Sequence, residues 1–171
     1  MSQVLEAVHV ELVALDLANL RRLAASEPTE FEVSKVIPDG ALPPAHVAAR
    51  ALAQLDAGTP AFWCVPLLIV ATTSGAVLGG CRFKGAPVDG SVEIGYGVAK
   101  SERGRGIATA ALTKLIEMAA STGEVGQIVA HILPSNIASS KVVAKLGFSK
   151  GQSFVDSDGE LVVCWTYPVA T

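Results

Sequence analysis

The stretch VEIGYGVAKSERGRGIATAAL, Val92–Leu112, decides how this chain folds. Its first half places the apolar Ile94, Tyr96 and Val98 at every second position, the period of a strand. Its second half opens a run in which Ile107, Ala111, Leu112, Leu115, Ile116 and Ala119 recur at helical spacing. Between the two lies a basic elbow of Arg103, Gly104, Arg105 and Gly106. A strand ending at Val98 and a helix starting near Arg105 leave several backbone N–H groups unpaired at the helix mouth, and glycine lets a ligand approach them with no Cβ in the way. Such a mouth binds anions. Arg103 and Arg105 add positive charge there, and Thr109 adds a hydroxyl on the first turn.

Two nucleotide signatures fail at this elbow. A P-loop needs Lys followed by Ser or Thr after the second glycine, where Ile107 and Ala108 stand. A dinucleotide fingerprint needs a third Gly or Ala at 109 and an acidic residue after the next strand, where the chain has Thr109 and then AHILPSN. Taken alone, two glycines between arginines also describe an ordinary turn with solvated charges.

Working outward, Val8, Val10 and Leu12 alternate with polar residues as a half-buried first strand, and Asp16 caps a helix carrying Leu17, Leu20 and Leu23. Residues 27–41 read as loop, with Pro38 and Gly40 as breakers. A second helix runs from Pro43 and Pro44 to Gly58. Residues 62–72 and 76–83 form a hairpin about TSG, followed by a strand over Ser91–Val98. After the elbow and its helix come a strand at Gln127–Ile132, a helix at Asn136–Leu146 stopped by Gly147, and a final hairpin of 148–154 with 161–167 about DSDGE. The expected architecture is α/β (α+β): one mixed central sheet of about seven strands flanked by about four helices, in a single domain over 1–171.

Composition narrows the function classes. Half of the 171 residues are hydrophobic and 17% are charged, enough for one sizeable core. The longest apolar runs are too short to span a bilayer, and the Met1 end lacks a basic segment followed by an apolar one, so a cytoplasmic protein with no membrane partner is expected. Cys64, Cys81 and Cys164 are odd in number and embedded in apolar sequence, which predicts reduced thiols. His9, His46 and His131 have no metal-ligand spacing, so no metal is expected. A net charge of −3 carries no footprint for nucleic acid.

The elbow acquires a sharper meaning beside a second segment downstream. Arg103, Gly106 and Ala108 fit the pattern R/Q-x-x-G-x-G/A, and NIASSKVVAKLGF carries Asn136, Ser139, Gly147 and Phe148 in a second characteristic spacing. Together these segments, Val92–Phe148, resemble the GNAT superfamily of acetyl-CoA-dependent N-acetyltransferases, most nearly the RimJ/RimL-like branch that acetylates ribosomal-protein N-termini. The resemblance implies the GNAT fold with splayed central strands, acetyl-CoA as acetyl donor, and direct transfer to a primary amine on a small molecule or protein N-terminus. The protein would act as a monomer or homodimer. A second reading stands beside it: a catalytically silent acyl-CoA-binding sensor or interaction module.

The resemblance also implies roles. The coenzyme A pyrophosphate would lie on the amides of Gly104, Arg105, Gly106, Ile107, Ala108 and Thr109, with Arg103 at the start of the loop. The pantetheine arm would run beside Val98, whose N–H would polarise the thioester carbonyl, and Asn136 would bond that arm or simply cap its helix. Family members often use a tyrosine seven residues after this asparagine to protonate the departing sulfur; Val143 stands there. Ser139 matches the serine of the RimL-like branch, with a first-turn cap as the alternative. Glu93, the acidic residue of its strand, is the base expected to take the amine proton through water beside an apolar cleft; an outward-facing edge charge is the alternative, and a family bulge in this strand leaves the face open. Tyr96 reads as core, and Phe83 and Lys84 lie near the amine entrance or in a plain strand-end turn. The acidic residues Glu27, Glu30, Glu32 and Asp39 hint at a cationic acceptor, with solvated loop charge as the commoner alternative.

Overall fold

The computed structural model describes residues 8–34 and 36–170. Strands β1 (Val10–Ala14), β2 (Leu67–Ala71), β3 (Val77–Phe83), β4 (Ser91–Val98), β5 (Gln127–Ile132), β6 (Ser149–Val155) and β7 (Leu161–Pro168) form one sheet in the order β1-β2-β3-β4-β5-β7-β6. Every neighbouring pair is antiparallel except β4 and β5, which are parallel and joined through the helix that the elbow opens.

Helices α1 (Leu17–Ala24) and α3 (Ala45–Asp56) pack on each other and cover one face, where Leu20, Leu23, Ala48 and Ala51 meet Leu68 and Val77. On the other face α4 (Ile107–Ser121) buries Ile107, Ala111, Leu112, Leu115 and Ala119 against Ile94, Ile128 and Ala130. Each of its large apolar side chains is worth about 1.5–3 kcal/mol when fully buried. Helix α5 (Ile137–Leu146) adds Val143 to this core and ends on the left-handed Gly147.

Several boundaries differ from the sequence reading. The segment 27–41 contains a further helix, α2 (Glu30–Ser34), so that five α-helices stand among the described residues. Its origin is a capping box: the Thr29 N–H donates to Glu32 Oε2 at 2.6 Å, and the Glu32 N–H donates back to Thr29 Oγ1 at 3.4 Å. Buried Asn19 holds the turn by accepting from the Glu30 N–H at 3.0 Å, while its own N–H donates to the α1 cap Asp16 at 2.8 Å. Residues 62–72 are not one strand, because Pro60 and Pro66 interrupt the ladder: Ala61–Trp63 make a 3-10 turn, and β2 begins at Leu67. Trp63 there packs edge-on against Phe83 with ring centroids 4.9 Å apart. The second helix starts at Ala45 with Pro44 as its cap.

The β3–β4 register is unbroken from Gly79↔Val98 to Phe83↔Ile94; irregularities lie between β2 and β3 and between β6 and β7 instead. The β4–β5 ladder stops at Glu93↔Val129. Beyond it β5 continues against β7 to Ile132, while β4 continues against β3 to Val98. The central strands therefore part, as expected of a splayed sheet.

Candidate active site

The elbow is built as a cradle. Gly104 and Gly106 have φ of 76° and 77°, the left-handed region that glycine enters without strain. Gly106 is the N-cap of α4 and offers no side-chain cap, and a Cβ on either glycine would meet nothing within 4 Å. Among the described residues no acceptor takes the N–H groups of residues 104–109. They open on a cavity of about 660 Å³ whose wall includes Arg103, Ile107, Ala108 and Thr109. A diphosphate fits this donor set, since the cavity carries unpaired N–H groups, a helix N-terminus and cations together. Arg105 is outside the lining; its guanidinium pairs with Glu102. Lys141 and Lys145 of α5 line the cavity and were not singled out from the sequence, although their spacing of four places them on one helix face.

Val98 sits where β4 leaves its partner. In β4 the odd-numbered polar groups face β3: the Lys84 N–H donates to the Glu93 carbonyl at 2.8 Å, and the Ala99 N–H donates to the Leu78 carbonyl at 2.9 Å. Antiparallel alternation therefore turns the N–H groups of Tyr96 and Val98 toward the gap beside β5. The Val98 carbonyl is taken by Arg103 Nε at 3.3 Å, which ties the strand end to the elbow.

On the far side of the gap lies a second cavity, of about 480 Å³, and the two share Tyr96, Gly97, Asn136 and Ser139 as walls. Asn136 is the α5 cap: its side chain accepts from the Ser139 N–H at 3.1 Å. Ser139 is thus not the capping side chain. Ser140 instead bonds back to the Asn136 carbonyl at 3.0 Å. Tyr96 packs against the core as the sequence suggests, yet its hydroxyl donates to the Ser139 carbonyl at 2.9 Å. Burial raises the Tyr96 pKa against the opposing effect of the Ser139 side chain beside it, so the phenol stays protonated at neutral pH. Val143 is fully buried.

Glu93 does not face an apolar cleft. Its Oε1 is 2.8 Å from Lys84 Nζ and 3.1 Å from His131 Nδ1. Lys84 and His131, not Glu93, form the wall of the second cavity. Alternation puts Glu93 on the sheet face shared with Arg82 and Lys84, away from buried Ile94. Nothing in the sequence spacing links residue 93 to residue 131; the parallel β4–β5 register does. Glu27, Glu32 and Asp39 line a separate concavity beyond Gly40 and Pro43. Phe83 is buried in the aromatic cluster. Cys81 lies in the second cavity's wall, but burial pushes its thiol up to about 12, far from a thiolate at neutral pH. Among the described residues no group of three His, Cys, Asp or Glu is placed to hold a metal ion, and no helix is long and apolar enough to cross a membrane.

Comparison with known proteins agrees with this geometry. Residues 9–149 match the family model of the acetyltransferase (GNAT) domain. The chain is 30% identical over 142 residues to the uncharacterized N-acetyltransferase YjdG of Bacillus subtilis, covering 81% of this chain and 82% of that one. In fold it is similar to Mycobacterium smegmatis RimJ in complex with CoA-disulfide, with a TM-score of 0.66, 20% identity and coverage of 95% and 83%. It is also similar to YncA of Salmonella typhimurium with acetyl-CoA, with a TM-score of 0.60, 20% identity and coverage of 94% of both chains. With the glycine elbow, the splayed strands and the matched family model in agreement, the chain belongs to the GNAT acetyltransferase family, whose acetyl donor is acetyl-CoA.

Proposed function

We propose that residues 1–171 work as one cytoplasmic domain that moves the acetyl group of acetyl-CoA directly to a primary amine, with the reaction at the junction of the two cavities. One observation carries the reading: the cavity with the phosphate cradle and the cavity beyond the splay meet at Tyr96, Gly97, Asn136 and Ser139. Donor and acceptor thus enter from opposite sides and meet at a single point, with no covalent enzyme adduct needed. The single sheet, with a core on each face, supports one domain, and three free thiols suit a reducing compartment.

In this reading the amides of Gly104–Thr109 with Arg103, Lys141 and Lys145 hold the diphosphate, and Asn136 steadies the pantetheine arm. The Val98 N–H aims at the carbonyl oxygen on which charge develops. Transfer forms a C–N bond, breaks a C–S bond, removes a proton from nitrogen and supplies one to sulfur. Ser139 is the group that supplies the proton to sulfur, directly or through water. Glu93 receives the proton from nitrogen by way of His131, which lines the acceptor cavity where Glu93 does not. Lys84 holds the Glu93 carboxylate in place through its 2.8 Å contact with Oε1.

Thermal unfolding with and without nucleotides tests the donor half. Acetyl-CoA at about 100 times its Kd should stabilise the fold by about 2.7 kcal/mol, while ATP and NAD leave the melting temperature unchanged. Absence of a shift at saturating acetyl-CoA overturns the assignment. Release of free thiol on adding an amine tests the acceptor half.

A further inference from the structure

The acceptor cavity has a charge pattern that the proton route does not use. Its ionisable lining is Arg82, Lys84 and His131, together with the half-buried Tyr96 and the buried Cys81, and no carboxylate reaches its wall. Lys84 is committed to Glu93. Arg82 is half-buried and has no hydrogen bond or ion pair among the described residues. Glu93 makes its ion pairs with Lys84 and His131 and none with Arg82. Arg50 acts on Arg82 with the same sign of charge. Burial, then Arg50, lowers the Arg82 pKa against the pull of Glu93.

The backbone aims this cation at the reaction point. Arg82 pairs with Gly95 across β3 and β4, and a Cβ on Gly95 would stand 3.5 Å from Arg82 Nε and 3.2 Å from Lys84 Cε. Both side chains therefore lie over the glycine on the cavity floor. From Gly95 to Gly97 at the junction is two strand residues, about 7 Å. A guanidinium reaching across that floor matches an anion only a few bonds from the attacking nitrogen. The coenzyme A phosphates do not account for it, since their cradle has its own cations on the other side of the splay. Of the acidic loop residues that hint at a cationic acceptor, Glu27, Glu32 and Asp39 line an adjoining concavity that meets this one at Gly40, Leu42 and Pro43, and none lines the acceptor cavity itself.

Resting on the acetyl-transfer reading above, we infer that the acceptor is a primary amine bearing a carboxylate close to its nitrogen, held by a fork of charge-assisted hydrogen bonds from Arg82. A planar guanidinium is suited to this task, because it presents two parallel N–H groups to the two carboxylate oxygens. The same chemistry is offered by a free amino acid and by an acidic residue at a peptide N-terminus.

The test uses the full chain, acetyl-CoA and amines in matched pairs: methionine against methioninamide, and an aspartyl peptide against its asparaginyl counterpart. Rates of thiol release are compared per concentration of unprotonated amine. In at least one pair the carboxylate member should have a kcat/KM higher by about 10- to 100-fold, the range of a hydrogen bond to a charged group. The pair that shows it identifies the source. Arg82→Met should collapse that ratio toward one, and Arg82→Lys should restore part of it, with the acetyl-CoA-induced thermal shift reporting that each variant is folded. Equal rates within both pairs of the wild-type chain overturn the inference without any variant, as does a ratio that survives Arg82→Met. Acetyl-CoA binding without turnover of any of these amines also overturns it and leaves the donor assignment standing. Failure to bind acetyl-CoA overturns the reading beneath.

Discussion

The Tyr96 hydroxyl donates a 2.9 Å hydrogen bond to the Ser139 carbonyl, joining the end of β4 to the first turn of α5 across the gap where the two cavities meet. The bond spans 43 residues of sequence and fixes the distance between the strand end and the serine hydroxyl. Tyr96→Phe removes it while keeping the ring in the core. The expected cost is about 1 kcal/mol of stability, with kcat falling more than acetyl-CoA affinity because α5 is no longer anchored. Steady-state kinetics beside urea unfolding check both.

Ser139→Ala and Asn136→Ala should separate chemistry from capping. The α5 cap is Asn136, so Asn136→Ala should cost about 1 kcal/mol of stability. Ser139→Ala leaves that cap in place and should instead lower kcat by about 10²-fold, the lower end for loss of a proton-transfer group. Equal stability losses with unimpaired turnover in Ser139→Ala would return the serine to a structural role.

Gly106→Val should abolish acetyl-CoA binding. The left-handed backbone at Gly106 strains any β-branched residue, and the open space beside it is the space the phosphates need. Calorimetric titration should show the loss of binding exceeding the loss of stability measured by thermal unfolding.

Glu93→Gln should lower kcat/KM by about 10²–10⁴-fold. It should also remove the limb of the pH profile that stays with the enzyme when two amines of different basicity are compared. His131→Ala should have the same effect if the proton travels through the imidazole, whereas an unaltered His131→Ala profile would assign the route to water and Glu93 alone.

Stability should fall on the alkaline side through Cys81. Its thiol is raised from 9.0 to about 12 by burial, so the folded state holds its proton where the unfolded chain releases it. The contribution is fully present below about pH 9 and is lost as the pH rises toward 12. Three units correspond to at most about 4 kcal/mol. Cys81→Ala should flatten the stability profile over this window in urea titrations.

Much of the fold is legible because it rests on local rules. The alternation at Ile94, Tyr96 and Val98, the helical spacing from Ile107 to Ala119, the Asp16 cap and the Gly147 stop all appear where pattern and chemistry put them. The TEFE sequence at 29–32 carries a capping box that identifies α2, but Pro38 and Gly40 nearby favour a loop reading of the whole segment. The strand expected from residue 62 failed for a different reason: aromatic side chains with high strand propensity were drawn into a cluster with Phe83 between two prolines.

The sequence by itself determined the glycine elbow and the order of elements, because a turn at a helix mouth and a 3.6-residue period act over a few neighbouring residues. Only the tertiary structure decided which side chains stand around the reacting atoms. Glu93 with Lys84 and His131, Tyr96 with Ser139, and Arg82 over Gly95 are pairings made by strand register and by the parting of β4 from β5. Register depends on the whole sheet closing on two cores at once, and no stretch of the chain encodes it alone.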